Sequence, residues 1–565
     1  MSTPKTGGQL VVDLLRSFGV EYVFGVVGGQ TLAITDAIID TPGIQLVHTR
    51  HENAAAVMMD AYGRLTGKPA ACISTTGPGA TNLITGVGGA YRDSSPGFVL
   101  TCNNNGENIH KDDAQNADHV ELMRPLVKYS RLVAHASSLK QAMEEAYINA
   151  VTGNPGPVHL DFARDTIEGE IANPPSVPAV HPSRAWVSER PSANPVALAG
   201  VAERVLAARR PVIWLGNGGN RARAADDVLA LADALGIPVV TTFNGIGAVP
   251  TTHPLVFGAA SRMGTTLSGD VLAEADLVLA LGNSLNAVST TRWRRELPEI
   301  VQVDVDPTMI GRYYSEITQG VVSDLGSFAR DLVTAVGDEA DAARLGRSEW
   351  IASLTKARTV WWQGSDVADQ NARGALSPAD IVRSLREVTP EDTLLIPDAG
   401  NPGVWSFLWE ISTPYSYIKP VGFGNMGFAL PSAIAAALID PARPVLALIG
   451  DGSLGMSLGE LETLARVGGN VCVVVLNDSS YGNIRQEQEL HFDGRTIGVD
   501  FGAADYGMAA RAMGVDGEVI TSLSALRQRV AEAFAGGRPT VIDVPIDRDV
   551  NAWTFPSFVA RRKDG

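Results

Sequence analysis

Ile449-Gly450-Asp451-Gly452-Ser453 closes the apolar run RPVLALIG, and Asn477-Asp478-Ser479-Ser480-Tyr481 closes a second, NVCVVVLN, once residues 453–476 have intervened. Neither run alternates polar with apolar residues, which is the pattern of parallel strands covered on both faces. Turn residues at the end of such a strand sit at the carboxyl edge of its sheet, the ligand side of an open α/β fold. Glycine there lets the backbone approach a phosphate, and a helix that opens at the turn offers unpaired N–H groups to negative charge. Magnesium takes hard oxygen ligands in octahedral geometry. Asp451, the Asp478 side chain and a carbonyl at Ser480 supply three, leaving phosphate oxygens and water for the rest. Taken singly, each segment reads equally as a tight turn between strand and helix.

Working outward, the runs PAACIST, RPVIWLG and ADLVLALG repeat the buried-strand pattern, each followed by helix-compatible sequence. At 565 residues the chain exceeds a single core, and two breaks divide it. One is the proline- and serine-rich stretch between Glu170 and Pro195, read as an extended linker; the other runs from Gly337 to Ser377. The expected architecture is therefore α/β, with three doubly wound domains of mainly parallel strands at 1–180, 190–340 and 370–550, and a frayed tail at 551–565.

Apolar residues make up 45% and charged residues 19%, which excludes a disordered chain. A formal charge of -17 repels nucleic acid and anionic membranes, so neither is an expected partner. Cys72, Cys102 and Cys472 lie far apart without zinc-like spacing, which suits a reducing compartment. No apolar run is long enough to span a bilayer, and the expected location is cytoplasmic.

Two further constellations carry chemistry. Near the amino terminus, RHENAAAVMMDAYGRLTGKP contains Glu52 and is followed by Thr75-Thr76-Gly77-Pro78-Gly79-Ala80-Thr81-Asn82, with VEYVFGVVGG upstream. Glu52 also suits a plain helix N-terminus, where the dipole favours a carboxylate. Later comes Gly422-Phe423-Gly424-Asn425-Met426-Gly427-Phe428-Ala429-Leu430-Pro431, in which Met426 suits core filling equally well. Together with the GDG…ND pair, these stretches resemble the thiamine-diphosphate-dependent enzymes of the acetolactate synthase-like family, nearly end to end and in domain order. Asp478 departs from the family signature, which has asparagine there, and so adds a negative charge beside the diphosphate.

The resemblance implies a pyrimidine-binding domain, a central nucleotide-binding-like domain and a diphosphate- and magnesium-binding domain. It implies catalytic positions at Glu52, Gly29, Gln115 and Met426. Glu52 would sit in a dry pocket and share a proton with the aminopyrimidine, so that the thiazolium carbon loses its proton to give an ylide; addition to the donor carbonyl and loss of carbon dioxide or an aldehyde would then leave an enamine. Met426 would be the wedge that bends the cofactor, and the Gly424 carbonyl would accept from the pyrimidine amine. Further cofactor contacts are implied at Pro78, Asn82, Gly400, Asn401, Gly450, Gly452, Ser453 and Tyr481, and metal ligation at Asp451, Asp478 and Ser480. Asn401-Pro402 replaces the family's commoner Gln-His.

Substrate-side positions are Gln30, Asn483, Ile484 and Glu487. Glu487 stands where acetolactate synthases carry tryptophan, and Asn483 replaces a typical methionine, so a polar substrate is expected. A solvated helix face is the rival reading of Arg485–Glu487. The implied activity is a carboligase or lyase acting on 2-oxo acids or 2-hydroxy-carbonyl compounds. The alternatives are a 2-oxo acid decarboxylase, a 2-hydroxyacyl-CoA lyase and a catalytically silent cofactor-binding or regulatory subunit. The family also implies a homodimer or homotetramer with sites between subunits. Some members bind FAD or ADP in the central domain, where Gly216-Asn217-Gly218-Gly219 fails the full dinucleotide motif.

Overall fold

In the computed structural model, which describes residues 4–187, 189–364, 375–553, 555, 557 and 558, every long buried run becomes a strand of a parallel sheet. The first sheet has six strands in the spatial order Gln45–His48, Tyr22–Gly25, Ala70–Ser74, Gly97–Cys102, Pro157–Phe162, Ser130–Val133. The second also has six: Val256–Ala259, Val239–Thr241, Pro211–Leu215, Leu277–Leu281, Glu299–Asp304, Gln319–Val322. The third has five: Leu394–Pro397, Val445–Gly450, Val471–Asn477, Thr540–Pro545, Asp516–Val519. All strand pairs within these three sheets are parallel. Helices cover both faces, as parallel strands without polar alternation require.

The first and third domains share a core. The helix Glu52–Thr66 is buried over most of its length and ends at Gly67, whose φ of 73° reverses the chain. It packs against Ala429–Ile439, a helix apolar all round, and both contribute to one cluster of buried residues. A buried ion cluster fastens the arrangement. Arg64 pairs with Asp60 and Asp93 and donates to the Lys419 carbonyl, while Asp93 accepts from Gly422 N at 2.8 Å and from Asn244 Nδ2 at 2.8 Å. One carboxylate thus ties all three domains behind the loop that carries Met426.

Two expectations need correction. The stretch after Glu170 is not wholly extended linker: Glu170–Ile171 pairs antiparallel with Lys5–Thr6, and Ser183–Trp186 is helical. Nor is the start of the tail frayed. Ala552, Trp553, Phe555 and Phe558 are buried, with Phe555 5.2 Å from the Trp405 ring and Phe558 5.6 Å from the Phe407 ring. An aromatic notch around Trp405 and Phe407 gives these residues apolar surface that solvent would leave exposed. Residues 559–565 lie outside the described residues.

Candidate active site

The amino-terminal group gathers at the carboxyl edge of the first sheet. Glu52 opens its helix behind the cap His51, whose Nδ1 accepts from Asn53 N at 3.1 Å. Glu52 is 9% exposed, with Oε2 accepting from Asn82 Nδ2 at 3.0 Å. A Cβ placed on Gly79 would lie 3.5 Å from Glu52 Oε1, so the TTGPGATN loop wraps the acid. The same loop braces two other positions. Thr75 Oγ1 donates to Gln30 Oε1 at 2.6 Å, beside Gly29, and Thr76 Oγ1 donates to the Gln115 carbonyl at 3.3 Å. Gly77 has φ of 62° and would meet the Gln115 carbonyl oxygen at 2.2 Å with any side chain, which explains glycine there. Glu52, Gly29, Gln30, Pro78, Asn82 and Gln115 are thus one cluster, of which Gly29, Pro78, Asn82 and Gln115 are exposed on this chain.

Under this loop lies a polar network that the motifs did not reveal. His119 Nε2 accepts from Gly77 N at 3.0 Å, which puts the ring proton on Nδ1, facing Asp161 Oδ1 at 2.9 Å. Asp161 also accepts from Thr101 and from Asn103 Nδ2. Asn103, which donates to Asp161, therefore supports the loop from behind.

The carboxyl-terminal group forms at the matching edge of the third sheet. Strand Val445–Gly450 delivers Asp451 and strand Val471–Asn477 delivers Asp478 side by side. Asp451 is 2% exposed; Oδ1 accepts from Gly452 N at 2.9 Å, while Oδ2 is buried with no hydrogen-bond partner among the described residues. Burial first, and then the Asp478 carboxylate, pushes Asp451 up to about 7; Asp478 is raised too, chiefly by burial. Two desolvated acids, one with an idle oxygen, form a donor set that suits a hard divalent cation. Gly452 is required by close approach, because a Cβ there would meet the Tyr481 ring at 2.7 Å.

Asp398, fully buried and pushed up to about 6 by burial, accepts from Ala399 N and Ala429 N, fixing Gly400–Asn401 against the helix that follows Met426. Asn483 Nδ2 donates to Asn401 Oδ1 at 3.0 Å, and Met426 lies near Gly452. Gly400, Asn401, Met426, Gly450, Gly452, Ser453, Asp478, Ser480 and Tyr481 therefore converge around Asp451, with Gly424, at a φ of 73°, two residues before Met426. Ile484 is 50% exposed on the helix Gly482–His491. Arg485 is drawn away from that face, paired with Glu489 at 2.8 Å and bonded to the Arg548 carbonyl. Sequence reasoning missed Gln486, buried on this helix; its spacing of three from Asn483 was the available signal. Among the described residues no hydrogen bond or ion pair joins Glu52 or Gln115 to Asp451 or Asp478.

The raised carboxylates predict a pH effect with a definite sign. Asp451 folds with a value of about 7 against an ordinary 3.8, so the folded chain holds a proton that the unfolded chain releases. Stability from this group is present below about pH 4 and is lost as pH rises through about 7. Metal-free wild type is therefore expected to lose melting temperature relative to Asp451→Asn between these limits, with magnesium and diphosphate restoring it at pH 8. Scanning calorimetry of both proteins checks this; a difference independent of pH would refute it.

A carboxylate-bearing loop at one sheet edge and a paired-aspartate loop at another are what the resemblance to thiamine-dependent enzymes implies, and sequence comparison shows that class. Family models match residues 5–122 as a thiamine pyrophosphate enzyme N-terminal TPP binding domain, 198–332 as the central domain and 398–544 as the C-terminal TPP binding domain. The chain belongs to the thiamine pyrophosphate enzyme family. Its relatives include an acetolactate synthase large subunit of Parasynechococcus marenigrum, 32% identical over 98% of this chain and 90% of the relative. The Haemophilus influenzae acetolactate synthase large subunit is 28% identical over 97% and 96%, and a probable one of Methanocaldococcus jannaschii 30% over 96% and 92%.

Proposed function

We propose that this chain is a thiamine-diphosphate- and magnesium-dependent carboligase, similar to acetolactate synthase, acting on 2-oxo acids or 2-hydroxy-carbonyl compounds. The carrying observation is the pair of separately braced acid groups: Glu52 on one sheet edge, and Asp451 with Asp478 on another. Residues 1–180 hold the pyrimidine, 370–550 the diphosphate and metal, and 190–340 form the central domain between them. When bound, the cofactor supplies an electron sink for a carbanion next to a carbonyl. Glu52 holds a proton at the pyrimidine, and Asn82 keeps its carboxylate aimed. The Gly424 carbonyl and Met426 would position the pyrimidine end of the cofactor. Asp451, Asp478 and the Ser480 carbonyl would hold magnesium, and Gly450, Gly452 and Ser453 would leave room for the diphosphate. Gly29, Gln30 and Gln115 border the reacting carbonyl.

Exposure of Gly29, Pro78, Asn82 and Gln115 supports a homodimer or homotetramer in which a second subunit covers them. Three buried, unpaired cysteines suit the cytoplasm, and the net charge of -17 argues against nucleic acid. Among the described residues no helix is long and apolar enough to cross a membrane.

The central sheet supports an adenine nucleotide, as ADP or as the ADP half of FAD. Its order reverses between Pro211–Leu215 and Leu277–Leu281, and a cavity of about 410 Å³ opens at that switch, lined by Lys128, Arg221 and Arg312. Burial lowers Lys128 to about 8 and also lowers Arg221, although Asp306 opposes both shifts and Asp304 the second, so an anion would add to the charge compensation already there.

One experiment tests the whole reading. The protein, loaded with thiamine diphosphate and magnesium, is incubated with pyruvate, other 2-oxo acids, hydroxyketones and acyl-CoA thioesters, and the products are weighed by mass spectrometry. A joined product with release of carbon dioxide is expected. Free aldehyde alone would make it a decarboxylase, cleavage of an acyl-CoA a lyase, and no conversion would end the proposal. Chromatography of the denatured protein is expected to show ADP or FAD.

A further inference from the structure

Three side-chain amides stand in single file beside the metal loop. Gln486, 3% exposed, donates from Nε2 to the backbone carbonyl of Val550 at 3.3 Å. Its Oε1 accepts from Asn401 Nδ2 at 3.2 Å, and Asn401 Oδ1 accepts from Asn483 Nδ2 at 3.0 Å. An isolated amide can exchange its two ends at little cost, but this row has one direction only. A backbone carbonyl can only accept, so Gln486 must turn its NH2 toward Val550 and its oxygen toward Asn401. Asn401 must then donate inward and accept outward, and Asn483 must donate to Asn401. Reversing the row would press the Gln486 oxygen against the Val550 carbonyl in a buried place, with no donor to compensate.

The consequence falls on the last atom. Asn483 Oδ1 is left as an acceptor that no group among the described residues engages. Asn483 follows Gly482, which packs on Asp478, and its Cβ lies 3.6 Å from where a Cβ on Gly400 would stand. That is the ground between the metal loop and the diphosphate-side loop. Asn401 and Asn483, the middle and last members of the row, are also departures from the family pattern, standing where glutamine and methionine are usual. A methionine at position 483 would offer no comparable acceptor.

We infer that the row makes Asn483 a specificity-determining residue: it presents a fixed hydrogen-bond acceptor to the substrate and selects carbonyl compounds that carry a hydroxyl over those that end in methyl. This rests on the carboligase reading above. Gln486 is a positioning residue in the scheme. It is buried, yet its truncation alters what Asn483 presents. Val550, just ahead of the aromatic tail, anchors the direction.

The test compares hydroxypyruvate with pyruvate, which differ by one hydroxyl, as donors for the magnesium- and thiamine-diphosphate-loaded protein. The wild type is expected to favour hydroxypyruvate by about tenfold in kcat/KM, the factor that one net hydrogen bond contributes. Asn483→Met is expected to erase the preference through loss of hydroxypyruvate turnover. Gln486→Met fills the same buried space and keeps Asn483, but frees the amides to turn; it is expected to bring the ratio to within about threefold of unity. Retention of the wild-type ratio in Gln486→Met, with a thermal melt showing a folded protein, would overturn the row's role. Equal use of both donors by the wild type would overturn the inference while leaving the carboligase reading intact. Turnover of neither, nor of any other 2-oxo acid or hydroxyketone, would bring down the reading itself.

Discussion

Glu52→Gln is expected to lower kcat by about a hundredfold to ten-thousandfold, the range lost with a positioned proton-transfer group, while leaving thiamine diphosphate bound. The separation of the two effects follows from the geometry. Glu52 meets Asn82 through one oxygen, and a glutamine amide can still accept that hydrogen bond through its own Oε1. The wall around it is made by Gly79 and the TTGPGATN loop, which the substitution does not touch. What is lost is a group able to hold and return a proton. The competing account gives Glu52 only the favourable field of a helix N-terminus, worth about 0.3–1 kcal/mol of stability. The two accounts predict opposite readouts: the helix-terminus role lowers the melting temperature and spares turnover, the proton role spares the melt and removes turnover. Cofactor affinity from tryptophan quenching, kcat from product formation and a thermal melt on one preparation separate them. Unchanged turnover would exclude Glu52 from the chemistry.

Why some of this could be read from residues alone, and some could not, follows from which forces are local. RPVLALIG became the strand Val445–Gly450 and NVCVVVLN became Val471–Asn477, because uninterrupted aliphatic runs have few ways to be buried. The turns that end them were legible for the same reason, and with them Asp451 and Asp478. Gly77 and Gly452 are legible as glycines, yet the close approach that demands each of them comes from Gln115 and Tyr481.

The unread parts depend on partners far along the chain. Glu170–Ile171 is a strand only because Lys5–Thr6 lies beside it, and the tail is ordered because Trp405 and Phe407 open a notch for Phe555 and Phe558. No periodicity in a short segment announces such a partner. His119 belongs to the same category, since nothing around it in sequence says that it will receive the Gly77 N–H or face Asp161. Arg485 shows the same dependence: helical spacing leaves its direction open, and it is the Arg548 carbonyl and Glu489 that hold it.

Asp451→Asn is expected to move stability and metal binding in opposite directions. In the metal-free chain the native carboxylate is a liability: it is 2% exposed, beside Asp478, with one oxygen unbonded. Replacing it by a neutral amide removes a buried like-charge contact, so the apoprotein should gain about 1 kcal/mol at pH 8. The liability is what a divalent cation relieves, because it turns the repulsion of two acids into attraction at one centre. The same substitution should therefore weaken magnesium binding in the presence of diphosphate by about a hundredfold or more, above the 10–100-fold typical of losing a supporting group. Asp478→Asn, which restores the family's usual residue, keeps an oxygen ligand and removes only the additional charge, so its loss should be nearer tenfold. Titration calorimetry with magnesium and thiamine diphosphate, set beside melts of the metal-free proteins, reads both quantities. If Asp451→Asn binds magnesium as the wild type does, the paired aspartates hold no metal, and the idle oxygen of Asp451 needs another partner.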